Sequence, residues 1–256
     1  MKFEDDTPEP GSEILPYPRN PPINLPRNGS FLQRDDLFTF EGVDGSGKST
    51  LVKAVAAATA RRRREARVLK LNGSDVIRHA LERAKWLNTD PMTFSLLNWV
   101  SLFHQSTVSL PTPGDALLFF DRYTLTIKTR GILEGLETDF MDLLEARLPI
   151  PKKIFLVDCD PEICLARVVS CQRVITYFEA GSRMVSGTGA QMVEPDESLR
   201  GRTGGRETRM LEYLHRMRAT YLELARSYSN VVLIDNSGPL EASLARVLEH
   251  LGLPEA

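Results

Sequence analysis

The stretch Phe38 to Thr50 reads Phe-Thr-Phe-Glu-Gly-Val-Asp-Gly-Ser-Gly-Lys-Ser-Thr, and it constrains the chain more than any other. Leu37 to Phe40 has the character of a short buried strand. Gly42 to Ser49 matches G-x-x-x-x-G-K-[ST] in full, and Leu51 to Ala60, rich in Ala, Leu and Val, reads as a helix. A strand, a glycine loop and a helix in that order predict a phosphate-binding P-loop. Glycines let backbone N–H groups close around phosphate oxygens, and the helix N-terminus adds positive potential. The predicted nucleotide-binding set is Gly42, Asp44, Gly45, Ser46, Gly47, Lys48, Ser49 and Thr50. Lys48 would reach the β and γ phosphates, and the Ser49 hydroxyl would take one position on Mg²⁺.

At 256 residues the chain is long enough for one large α/β domain. A net charge of −2 offers no general field for a polyanion, which argues against nucleic acid as the main partner. Cys159, Cys164 and Cys171 show no paired metal-ligand spacing and read as reduced thiols of a cytoplasmic protein. No apolar run is long enough to span a bilayer, and the acidic, proline-rich start is unlike a secretory signal.

Residues 1–34 contain Pro8, Pro10, Pro16, Pro18, Pro21, Pro22 and Pro26, which predicts an extended or disordered arm. The domain proper is then 35–256. Beyond the first helix, strands are predicted at Arg67–Leu71, Ala116–Phe120, Lys153–Asp158 and Val231–Asp235. Helices are predicted at Val76–Leu87, from Pro91 through His104, at Leu125–Arg147 with a break near Gly131 and Gly135, after the Asp160-Pro161-Glu162 cap, at Glu207–Tyr228 and at Leu240–Leu251. Arg61 to Arg64 reads as a solvated helix end. The segment from about 170 to 205, rich in Gly and Arg, reads as a mobile lid. Strands alternating with helices predict a five-stranded parallel sheet covered on both faces, a three-layer αβα sandwich.

Three stations together resemble the thymidylate kinase family of P-loop nucleoside monophosphate kinases. They are Phe40 to Thr50 with Glu41 and Asp44, Asp121-Arg122-Tyr123 at the end of an apolar strand, and Phe155 to Glu162 followed by Arg167 and Arg173. Tyr221 to Ala225 and Val232 to Asp235 also fit, so the likeness covers roughly residues 36–251. Ile77-Arg78 with Leu81 fits the family's Ile-Arg-x-x-Leu pattern. The departures cluster on the acceptor side. Lys70-Leu71-Asn72-Gly73-Ser74 stands where the family has Arg-Glu-Pro-Gly-Gly, and Leu102 stands near a usual Arg. The Ser and Tyr-Gln that follow the Asp-Arg-Tyr motif are absent from Thr124 to Gly131. Tyr177 to Gly181 resembles a divergent branch of thymidylate kinase-like proteins.

The resemblance implies ATP- and Mg²⁺-dependent phosphoryl transfer by a homodimer, with dTMP or a modified pyrimidine nucleotide as the leading acceptor. Lys48, Asp121, Arg122, Arg167 and Arg173 are then the catalytic candidates, with Ser49 and Asp121 on the metal side. Arg78 and Arg122 would clamp the acceptor phosphate, since guanidinium binds phosphate oxygens in bidentate fashion. Phe94, Trp99 and Tyr123 complete the acceptor-side set. Two other readings stay open. One is a kinase for a hydroxyl of a nucleoside or small metabolite, which would need a general base such as Asp75, Asp44 or Asp121. The other is a nucleotide-binding regulatory module with little turnover.

Overall fold

A computed structural model describes residues 33–253, except 88, 109, 111, 115 and 172–202. The elements run β1 (Gln33–Glu41), α1 (Lys48–Arg61), β2 (Ala66–Lys70), α2 (Arg78–Trp86), α3 (Pro91–Val108), β3 (Leu117–Asp121), α4 (Thr124–Leu133), α5 (Thr138–Glu145), β4 (Ile150–Asp158), α6 (Pro161–Ser170), α7 (Thr203–Ala225), β5 (Val231–Asp235) and α8 (Leu240–His250). The strands form one sheet in the order β2-β3-β1-β4-β5, parallel at every pairing.

The side-chain alternation of the inner strands explains the layers. Phe38 and Phe40 of β1, Leu117 and Phe119 of β3, and Phe155 and Val157 of β4 point to one face. There they pack with Leu51, Val52 and Val55 of α1 and Val247 of α8. Leu118 and Phe120 point the other way, onto Trp99 and Leu102 of α3 and Ile127 of α4. Ile154 and Leu156 meet Met210, Leu214 and Tyr221 of α7 on that same side. Both faces of β1, β3 and β4 are therefore buried, as an all-parallel sheet requires. Each large apolar side chain so buried contributes roughly 1.5–3 kcal/mol. The result is the three-layer αβα sandwich expected from the alternating pattern.

Boundaries differ from the sequence reading in instructive places. The first strand begins at Gln33, four residues before Leu37, because Arg34 and Asp36 neutralise each other inside it. Arg34 Nη2 lies 2.6 Å from Asp36 Oδ2, which also accepts the Gly114 N–H at 3.0 Å. The long helical region after β3 is two helices, with the break at 134–137. The Asp160 side chain accepts the Glu162 N–H, with Pro161 opening α6. The arm of residues 1–34, save Gln33 and Arg34, and the interior of the 170–205 segment lie outside the described residues. No helix among the described residues is long and apolar enough to cross a membrane.

Candidate active site

The carboxyl ends of β1 and β3 adjoin where the chain's path across the sheet reverses, and ligands of open α/β sheets bind in such a crevice. A cleft of about 950 Å³ opens there. One wall is the loop after β1. Gly45 has φ +81° and Gly47 φ +84°, a region that side-chain-bearing residues rarely enter. A Cβ at Gly45 would strike the Cys164 carbonyl oxygen, and one at Gly47 would strike the Asn236 amide. Backbone shape and close packing thus both require glycine at these two places.

Lys48 opens α1 and is 4% exposed. Its Nζ donates to the Val43 carbonyl at 2.5 Å and to Ser46 Oγ at 3.3 Å, which folds the side chain back over the loop. Burial pushes this ammonium down to about 7; the Arg122 charge acts in the same direction, and Asp44, Asp121 and Glu41 act against it. Ser49 Oγ donates at 2.5 Å to Oδ2 of Asp121, the last residue of β3. A hydroxyl and a carboxylate side by side are hard oxygen donors, the chemistry that a Mg²⁺ ion takes together with phosphate oxygens.

Arg122 holds φ +72°, a strained value for a side-chain-bearing residue. Its guanidinium donates to the Gly42 carbonyl at 3.1 Å and pairs with Asp44. Burial opposes that charge, but Asp44, Asp121 and Glu41 outweigh it and hold the group above the usual arginine range. Glu41 supports the turn from behind. Its Oε1 accepts the N–H groups of Tyr123 and Leu125 at 3.0 and 3.1 Å, and its Oε2 accepts the Thr126 hydroxyl. Burial raises its carboxyl to about 7 in spite of those bonds and of Arg122.

Gly45, Gly47, Lys48, Ser49, Thr50, Asp44, Asp121, Arg122, Arg78 and Arg167 all line the one cleft. Arg167 is held beside the loop, donating to the Asn236 carbonyl at 3.0 Å and to Cys159 Sγ at 3.4 Å. Two aromatic candidates do not reach the cleft. Trp99 is 1% exposed, among the core residues between α3 and the sheet, because an indole that large fills the space over Leu118 and Phe120. Tyr123 packs at a tilt against Phe120 with ring centroids 5.0 Å apart, and its hydroxyl donates to the Pro149 carbonyl at 3.0 Å. Phe94 lies at a narrow recess with Asn98, Thr126 and Arg130. Asp75 is exposed and is not among the residues lining the cleft. Arg173 lies outside the described residues.

Sequence reasoning passed over Lys85, Arg130 and Asn236. Lys85 of α2 lines the cleft, and desolvation followed by the charge of Arg130 lowers its pKa below the ordinary lysine value. Arg130 reaches within 3.6 Å of Asp44. Nothing local marks these two, which depend on how α2 and α4 face each other. Asn236 could have been found, since it follows β5 directly and the residues after strand carboxyl ends face the crevice.

Comparison with known proteins bears on this cleft. The chain is 26% identical over 208 residues to the probable thymidylate kinase 2 of Saccharolobus solfataricus, covering 80% of this chain and 90% of that protein. It is 25% identical over 226 residues to a thymidylate kinase of Desulforapulum autotrophicum, 83% of this chain and 88% of that one. A probable thymidylate kinase of Metallosphaera sedula is 25% identical over 218 residues, 84% and 91% of the two chains. The family model for thymidylate kinase matches residues 40–179, from the end of β1 through the glycine loop and past α6. With that match over more than half its length, the chain belongs to the thymidylate kinase family and is a kinase, a phosphotransferase.

Proposed function

We propose that the protein transfers the γ-phosphoryl group of ATP to a nucleoside monophosphate, with dTMP or a modified pyrimidine nucleotide as the acceptor. The observation that carries this reading is one cleft lined together by Lys48, the glycine loop, Asp121, Arg78 and Arg122. Donor phosphates would lie on the loop amides and Lys48. Ser49 and Asp121 would hold Mg²⁺, which when bound neutralises charge on the donor phosphates. Arg122, steadied by Asp44 and the Gly42 carbonyl, keeps further N–H donors for the acceptor phosphate. Arg78 and Lys85 add positive charge on the same side.

Such a transfer spreads charge over equatorial oxygens, so catalysis is positioning plus positive charge. An acceptor phosphate with a second pKa of about 6 is already an anion at neutral pH and needs no general base. The exposed position of Asp75 is in keeping with that. The exposed apolar residues Met92, Leu96 and Val100 of α3 support a homodimer, and the free cysteines Cys159, Cys164 and Cys171 support a reducing, cytoplasmic setting.

The test is a panel of nucleoside monophosphates offered with MgATP to the purified protein, read by ADP release. One monophosphate, dTMP or a modified relative, is expected to raise ADP formation well above the background with ATP alone. A panel in which none does would remove the proposal.

A further inference from the structure

We infer that Asn236 is a positioning residue for the donor phosphates: its side-chain amide fixes the Ser46–Gly47 peptide so that the Gly47 N–H is aimed into the phosphate loop. This rests on the phosphotransfer reading above. Asn236 follows β5 and is 4% exposed. Its Nδ2 donates to the Ser46 carbonyl at 2.6 Å, a contact between residues 190 apart in sequence. Its backbone N–H donates to the Asp158 carbonyl at 2.8 Å, and its own carbonyl receives Arg167 at 3.0 Å. β4 and Arg167 of α6 therefore fix the backbone of Asn236, and the Ser46 carbonyl orients its side-chain amide.

A trans peptide points its C=O and N–H in opposite directions, and no cis bond occurs among the described residues. With the Ser46 carbonyl turned toward Asn236, the Gly47 N–H leaves on the other side. Gly47 stands at the N-cap of α1, where the first N–H groups have no acceptor within the helix. Glycine also lets this peptide rotate more readily than one between two side-chain-bearing residues. A flip would turn a carbonyl oxygen toward the phosphates in place of a donor. The hydrogen bond from Asn236 opposes that flip.

The other half of the amide points the same way. Asn236 Oδ1 is buried and finds no partner among the described residues. An apolar side chain of similar volume would avoid that unsatisfied oxygen, so the amide's use here lies in the Nδ2–H.

The experiment compares the wild type with Asn236→Leu, which keeps the volume and removes the donor. Calorimetric titrations with magnesium tripolyphosphate and with MgATP are run beside thermal melting and the acceptor KM at saturating ATP. Asn236→Leu is expected to melt close to the wild type. It should bind both tripolyphosphate and MgATP about tenfold or more weakly, and by the same factor, with the acceptor KM unmoved. Affinity for tripolyphosphate within about twofold of the wild type would overturn the inference, since a charge-assisted hydrogen bond is worth more than that. An equal loss toward donor and acceptor would overturn it as well, because that marks general damage. If Asn236→Leu does not fold, Asn236→Ser, whose hydroxyl falls short of Ser46, serves in the same comparison. A wild type that binds neither phosphate ligand would sink the phosphotransfer reading and this inference together, whereas binding that ignores residue 236 sinks the inference alone.

Discussion

Lys48 and Glu41 are both buried ionisable groups, and burial moves them in opposite directions. The Lys48 ammonium is held at about 7 against an ordinary 10.5. Between those values the unfolded chain binds more protons, so this group's contribution to stability rises with pH through that window and is unfavourable below it. A phosphate oxyanion beside Nζ favours the charged form and reverses the shift. Binding of MgATP at about pH 7.5 is therefore expected to take up protons, seen as a calorimetric enthalpy that varies with the buffer's ionisation enthalpy. Lys48→Met keeps the stem and removes the charge, and the Val43 carbonyl retains the Ser46 N–H at 3.3 Å. Its melting temperature at about pH 6 should be no lower than the wild type's, while transfer falls at least about a hundredfold. Glu41 shifts from 4.5 to about 7. Here the folded state binds more protons across the window, so stability attributable to Glu41 falls as pH rises from 4.5 to 7. The difference in melting temperature between Glu41→Gln and the wild type should grow in the variant's favour over that range. A difference that stays flat would show that Glu41 is not the group titrating.

The first turn of α4 ties the end of β1 to α7 through one hydroxyl. Thr126 donates to Glu41 at the end of β1, lies 2.8 Å from the Tyr221 hydroxyl of α7, and receives Arg122 at 3.4 Å. Thr126→Val keeps the shape and leaves Glu41 and Tyr221 each short of a partner. Urea unfolding should show a loss of about 1–3 kcal/mol, the usual cost of stranding buried polar groups. Because Arg122 is braced by this turn, the acceptor KM should rise more than the KM for ATP. Elements of this kind explain what a reader of the sequence could see. The five strands were legible because β1, β3 and β4 carry short apolar runs between loop signals, and the glycine loop was legible because Gly42 to Ser49 is a local pattern. Thr126, Arg130 and Lys85 carry no such mark, since each acquires its place only when separate helices meet. Trp99 was misplaced for a related reason. The apolar residues of α3 outnumber one core face, and the sequence does not say which of them turn inward.

The same surplus bears on the whole molecule. From Pro91 to Val108 α3 has no Asp, Glu, Lys or Arg. Its inner side buries Phe94, Trp99 and Leu102, and Ser101 and Gln105 grip the Leu71 carbonyl at the edge of the cleft. Its outer side shows Met92, Leu96 and Val100, four residues apart and hence in one line, at 40, 37 and 45% exposure. A helix that carries large apolar side chains on its outer as well as its inner side is ordinarily covered on both. A second copy of the chain fits this line, because a twofold axis sets the same uncharged stripe against itself with no like charges to desolvate. Light scattering is then expected to give about twice the 28.7 kDa chain mass. Leu96→Glu with Val100→Glu would bring carboxylates face to face across the axis and should return the single-chain mass. The consequence extends to function, since α3 also carries Phe94 and Asn98 at the recess next to Arg130. A monomeric variant should bind acceptor more weakly and MgATP as before, because the glycine loop leads into α1, which packs on the face of the sheet opposite to α3. A wild type that sediments as a monomer at working concentration would leave the outer stripe of α3 without this explanation.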